Sequence, residues 1–79
     1  MSLINFISEK AKIGKNAMVL NFVYVGDGVE IGDNVKIEHG AKIYEDCIIG
    51  SYSIIGANAV LRPNTRIGDH SIFGSLSVC

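Results

Sequence analysis

The chain has 79 residues, 48% of them hydrophobic, with three Phe, three Tyr, no Trp and a formal net charge of −1. That length allows one domain with little interior, and the seven scattered basic residues point away from nucleic acid or an anionic lipid surface. No apolar run reaches the ~18 residues of a membrane span, and Met1 to Phe6 is too short for a signal peptide.

After a lead-in over residues 1–6, an aliphatic or aromatic residue recurs every six positions. The series is Ile7, Ile13, Val19, Val25, Ile31, Ile37, Ile43, Ile49, Ile55, Leu61, Ile67 and Phe73. Four residues after each stands a small one: Ala11, Ala17, Val23, Val29, Val35, Ala41, Cys47, Ser53, Ala59, Thr65, Ser71 and Ser77. A fixed internal period outranks local signals, because it sets the architecture before any segment is assigned. A strict six does not sustain a helical stripe, which needs spacings of three and four. Three short strands and three corners per 18 residues do fit it. Within each hexad the aliphatic and small positions then face inward, alternating with outward residues. Seven of the twelve hexads carry Gly right after the aliphatic residue. Three residues after it come Asn16, Gly28, Asn34, Gly40, Asp46, Asn58 and Asn64, types that tolerate left-handed backbone angles at a corner. The expected domain is a single all-β coil over residues 1–79, with repeats over 7–78. Cys47 occupies a small position and Cys79 the next aliphatic one, so both read as buried small hydrophobes in a reducing, cytoplasmic setting.

Residues 18 apart stack on the outside in three columns. Met18, Lys36, Ile54 and Ile72 form one; Tyr24, Lys42, Val60 and Val78 the second; Lys12, Glu30, Ile48 and Arg66 the third. The first two become purely aliphatic in the C-terminal half, a pattern expected of an interface rather than a solvated face. The repeat stops at Cys79, on the first residue of a new hexad, with no polar capping repeat. That ending points to a piece of a longer protein or to an assembly that covers the last coil.

The motif of aliphatic, Gly, two variable, small and variable residues resembles the hexapeptide-repeat family of left-handed parallel β-helices. The likeness runs from residue 7 to 78, about four triangular coils from twelve hexads. It implies the left hand, an exception to the right-handed crossover rule that periodicity alone does not choose. It also implies an acyltransferase, closest to sugar-nucleotide N-acetyltransferases, that takes acetyl from acetyl-coenzyme A and acts as a homotrimer. The columns holding Ile54, Ile72, Val60 and Val78 agree with such a trimer.

Many members of the family use a His as general base, suited to taking a proton from an attacking amine or hydroxyl. The hexad Ile37-Glu38-His39-Gly40-Ala41-Lys42 is similar to an Ile-Glu-His stretch of sugar-nucleotide acetyltransferases. The resemblance implies His39 as base, with Glu38 orienting its ring; the plain alternative is a solvated corner residue. Two other stretches are similar to acetyltransferases for diamino-uronate sugar nucleotides: Leu20 to Tyr24, and the run from Val35-Lys36-Ile37 to Tyr44. Where the first group has a His-Asp-Cys sequence, this chain has Glu45-Asp46-Cys47. His70, in Ile67-Gly68-Asp69-His70-Ser71, is read as a corner residue.

Gly56, Ala57, Asn58 and Gly74 resemble the small-residue coils along which family members lay the pantetheine arm, with Lys36, Lys42, Arg62 and Arg66 available to phosphates. The same residues also satisfy the repeat. A hexapeptide-repeat carbonic anhydrase needs three His around zinc, and this chain has two, 31 positions apart, so no metal is expected. The expected function is acetyl transfer from acetyl-coenzyme A to an amino or hydroxyl group of a small-molecule sugar nucleotide. The alternative is a non-catalytic β-helical trimerisation module. Family enzymes usually add loops between hexads, and the unbroken period here favours either the module or a segment of an enzyme.

Overall fold

The computed structural model describes residues 5–78; the readings made for Met1 and Cys79 lie outside them. All regular structure among these residues is parallel β, in three sheets whose strands are 18 residues apart. Sheet A stacks β1 (Phe6–Ile7), β4 (Tyr24–Val25), β7 (Lys42–Ile43) and β10 (Val60–Leu61). Sheet B stacks β2 (Lys12–Ile13), β5 (Glu30–Ile31), β8 (Ile48–Ile49) and β11 (Arg66–Ile67). Sheet C stacks β3 (Met18–Val19), β6 (Lys36–Ile37), β9 (Ile54–Ile55) and β12 (Ile72–Phe73). Consecutive strands always belong to different sheets, so the chain turns a corner every six residues and completes a coil every eighteen.

The ladder explains why the hexad works. Each outward strand residue and each residue after the aliphatic one donates its N–H to the coil above. Phe6 donates to Val23 and Ser8 to Val25, both at 2.9 Å, and the pattern repeats up the coil. The carbonyls used are those of the small and the aliphatic residues, so four residues per hexad take part although the strands proper span two. Register pairs Met18 with Lys36, Lys36 with Ile54 and Ile54 with Ile72, and likewise along the other two outward columns.

The inward positions form the core. Val23, Val25, Val29, Ile31, Val35, Ile37, Ala41, Ile43, Cys47, Ile49, Ile55, Ala59 and Leu61 are buried, and they belong to the middle coils. Cys47 lies in this core as expected, its thiol donating to the carbonyl of Arg62 at 3.0 Å. Corners close through the third position after the aliphatic residue, where φ is positive in every hexad from Asn16 to Leu76. Asn and Gly fill that position comfortably. Phe22 (φ 60), Tyr52 (φ 62) and Leu76 (φ 61) do not, since a bulky side chain in the left-handed region is strained.

Candidate functional site

The expected site residues converge on one edge of the prism, the corner joining sheet C to sheet A. Glu38-His39-Gly40 turns this corner in one coil, Gly56-Ala57-Asn58 in the next, and Gly74-Ser75-Leu76 in the one after. Backbone hydrogen bonds tie the layers: Asn58 donates to the carbonyl of His39 at 2.8 Å, and Leu76 to that of Ala57 at 3.0 Å. Residues from three coils, Glu38 to Leu76, thus meet along a single continuous ridge.

His39 is exposed at this edge, and its ring is engaged. The amide of Asn21, one coil earlier, donates to Nδ1 of His39 at 3.3 Å. The same relation recurs at the corner between sheets B and C. There Lys15 donates to Asp33 Oδ1 at 2.8 Å, Asp33 to Ser51 Oγ at 3.0 Å, and Ser51 to Asp69 Oδ1 at 2.8 Å. At that corner a side-chain acceptor two residues past the aliphatic position catches the amide of its counterpart 18 residues before, whereas Asp27 and Glu45, at the same position of the sheet A to B corner, accept from the side chains of Ser8 and Tyr24. In the column Asn21, His39, Ala57, Ser75, the imidazole takes the part played elsewhere by Asp or Ser. Ala57 has no acceptor to offer, so among the described residues no side chain accepts from the amide of His39. Glu38 is half-buried, with Oε2 3.9 Å from Lys36 Nζ. Its recorded partner is this lysine, not the imidazole.

The glycines of the edge serve the coil stacking. A Cβ on Gly56 would stand 2.5 Å from the amide nitrogen of Ser75 and 2.8 Å from the carbonyl carbon of Gly74. Gly56 is buried under that next coil, so its missing side chain admits Ser75. In the last coil, Gly74 has Ser77 Oγ as nearest neighbour to an added Cβ, at 3.4 Å, and its backbone is exposed. Asn58 is exposed at φ 58. Of the basic residues considered for phosphates, Lys36 and Lys42 flank this edge on sheets C and A, and Lys42 Nζ donates to the carbonyl of Gly40 at 2.9 Å. Arg62 and Arg66 lie away from it, at the sheet A to B corner and on sheet B.

Both apolar columns border the same edge. Ile54 and Ile72 lie on its sheet C side, Val60 and Val78 on its sheet A side, and Leu76 at its tip. Ile72 is 78% exposed, Leu76 75% and Val78 58%. A groove of about 270 Å³ lies elsewhere, on sheet B, between Lys12, Glu30, Ile48 and the corner glycines Gly14 and Gly32. None of the expected site residues lines it.

Two aromatic clusters lie on the outside of the coil. Phe6 stacks on Tyr24 with centroids 5.2 Å apart, Tyr24 meets Tyr44 at 5.4 Å, and Tyr24 OH donates to Glu45 Oε2 at 2.8 Å. That bond, with lesser help from desolvation and the nearby carboxylates, pushes the Tyr24 phenol above the ordinary tyrosine range. His70 sits at φ 57 and stacks on Tyr52 with centroids 5.2 Å apart and planes 7° off parallel. The 18-residue spacing of Phe6 and Tyr24, and of Tyr52 and His70, was the signal available for both. No group of three or more His, Cys, Asp or Glu side chains among the described residues is placed to hold a metal ion. No helix among them is long and apolar enough to cross a membrane.

Three parallel sheets wound in four coils, with a polar corner flanked by aliphatic columns, define a hexapeptide-repeat β-helix and agree with its left-handed form. The profile of the bacterial transferase hexapeptide family (six repeats) matches residues 10–45, 29–63 and 46–79, and the chain belongs to that family. Among solved structures it is similar to the acetyltransferase domain of PglB from Neisseria gonorrhoeae FA1090. The TM-score is 0.71 at 24% identity, over 95% of this chain and 45% of that one. The same domain in complex with acetyl coenzyme A matches with a TM-score of 0.70 at 24% identity, over 90% of this chain and 43% of that one. At that identity the likeness establishes the shared fold, and the chain spans less than half the length of those structures. No curated protein sequence matches it.

Proposed function

We propose that this chain is the β-helical part of an acetyltransferase that moves an acetyl group from acetyl-coenzyme A to an amino or hydroxyl group of a sugar nucleotide. The observation that carries the reading is the gathering of Glu38, His39, Gly56, Ala57, Asn58 and Gly74 on one prism edge, in a fold shared with an acetyltransferase domain that binds acetyl coenzyme A. Acetyl-coenzyme A supplies an activated acyl thioester. The edge offers it Lys36 and Lys42 for phosphates and, at His39, a backbone amide with no side-chain acceptor. Gly56 itself is closed off by Ser75, so contact with a pantetheine arm falls to Ala57, Asn58 and Gly74.

His39 meets the acceptor in this reading. To act as general base through its outward Nε2, the ring must carry its proton on Nδ1, which requires breaking the bond from the Asn21 amide. In this reading the edge works against a second subunit, in a trimer built on Ile54, Ile72, Val60 and Val78, and the exposed apolar columns beside it support that arrangement. Calorimetric titration of the chain with acetyl-coenzyme A tests the donor site, with His39→Ala as companion in an acetyl-transfer assay on amino-sugar nucleotides. Absence of binding at millimolar ligand rules out a donor site within these residues.

One observation favours the second reading, a trimerisation module. His39 and Gly56 are each accounted for by the stacking of coils, through the Asn21 amide and the close approach of Ser75. A trimer in solution with no affinity for acetyl-coenzyme A is the outcome that selects it.

A further inference from the structure

The ring of His39 is held by its inner nitrogen. A neutral imidazole carries one hydrogen, and the nitrogen that accepts a hydrogen bond cannot be the one that bears it. With the Asn21 amide donating to Nδ1 at 3.3 Å, the hydrogen is on Nε2, the nitrogen directed away from the corner. The orientation does not rest on that contact alone. Three equivalent amides, of Lys15, Asp33 and Ser51, find an acceptor at the corresponding place 18 residues on. Position 39 thus corresponds to the acceptor places of that corner, and its own recorded acceptor is Nδ1, the ring nitrogen nearer the main chain. Glu38, the one carboxylate beside His39 in sequence, lies toward Lys36, so no acceptor there draws a hydrogen to Nδ1.

From the corner ladder and the bond to Nδ1 we infer that His39 faces a bound substrate as a hydrogen-bond donor, through Nε2–H, and not as a general base. It is suited to the oxygen of a carbonyl or oxyanion, where a preorganised neutral donor stabilises charge as it develops. This inference rests on the acetyltransferase reading for its substrate, but the state of the ring does not. In the transfer, the acceptor nitrogen or oxygen bonds the acyl carbon, the carbon–sulfur bond breaks, and its electron pair leaves with sulfur. The proton lost by the acceptor goes to that sulfur, directly or through water, so amine and thioester give amide and thiol with no proton left on His39.

Two measurements test this. Nitrogen-15 NMR of the intact chain near neutral pH, assigned with His39→Asn, reads the tautomer: the Nε2–H form is expected, and a predominant Nδ1–H form would overturn the inference. In acetyl transfer, His39→Gln keeps an amide N–H near the place of Nε2 but no basic nitrogen. It is expected to stay well above His39→Ala, which loses about 10²-fold or more. A Gln variant as inactive as the Ala variant would show that a base is required. A chain that neither binds acetyl-coenzyme A nor transfers acetyl refutes the acetyltransferase reading, while the NMR result still decides the state of His39.

Discussion

The amide of Asn21 donates to Nδ1 of His39 across one coil, at 3.3 Å. The contact makes an imidazole stand in for the Asp and Ser side chains that hold the neighbouring corner. The residue proposed for chemistry is thereby also part of the scaffold, and substitutions there are expected to act on stability.

That double part can be separated. Asn carries an oxygen close to where His carries Nδ1, so His39→Asn is expected to keep the bond to the Asn21 amide and unfold at nearly the urea concentration of the parent. His39→Ala removes the acceptor and loses about 0.5–1.5 kcal/mol. Equal destabilisation by both would mean that the corner bond does not form in solution.

Phe22 occupies a left-handed corner position at φ 60 and is 60% exposed. Asn fills the equivalent corners at 16, 34, 58 and 64. Phe22→Asn is therefore expected to raise the stability of the isolated chain by about 1 kcal/mol, through relief of backbone strain. Thermal unfolding reads it, and a fall in midpoint would show that Phe22 contributes packing outweighing its strain.

Glycines after the aliphatic position divide by what lies over them. A Cβ on Gly32 would meet Ser51 Oγ at 2.6 Å and the Ser51 amide nitrogen at 2.7 Å, so Gly32→Ala costs about 1–3 kcal/mol as overpacking. On Gly68 the nearest atom is Ser71 Oγ at 3.9 Å. Gly68→Ala is expected to be neutral or to stabilise by about 0.4–1 kcal/mol, by restricting the unfolded chain. Chemical denaturation of the pair checks the contrast, which disappears if coil stacking is looser than the structure shows.

Tyr24 donates to Glu45 at 2.8 Å, and this bond is the main reason that its phenol is raised above the ordinary tyrosine range. Its folded pKa therefore exceeds the unfolded value of about 10. The stabilisation is fully present below that value and is lost as pH rises through the folded pKa. In an absorbance titration, Glu45→Ala is expected to bring the Tyr24 part of the tyrosinate transition to lower pH. A superimposable curve would refute the link between the two residues.

Ile54 and Val60 border the sheet C to sheet A edge on either side. If these columns join subunits, Ile54→Lys combined with Val60→Lys lowers the sedimenting mass without unfolding the coil, because both side chains point outward from it. An unchanged mass would remove these columns from the interface.

Much of this was legible in the residues themselves. Ile37, Ile43 and Ile55 are wholly buried where the six-residue beat puts them, Asn16 and Asn34 hold the left-handed corners, and Met18, Lys36, Ile54 and Ile72 stack as their spacing of 18 requires. The site was legible only as separate short stretches. The likeness of Gly56 to a ligand-facing glycine did not reveal that Ser75 closes over it, and Glu38 turns to Lys36 although it adjoins His39.

The division has a physical cause. Inward and outward alternation, corner backbone angles and the return of the chain every eighteen residues follow from residue type and period, because each hexad repeats the same local problem. Hydrogen bonds between corner side chains and the amides of another coil depend on side-chain direction and on which residue happens to lie one layer away. Only the stacked coils decided that Nδ1 of His39 faces Asn21, that Tyr24 reaches Glu45, and that Glu38, Gly56 and Gly74 share a single edge.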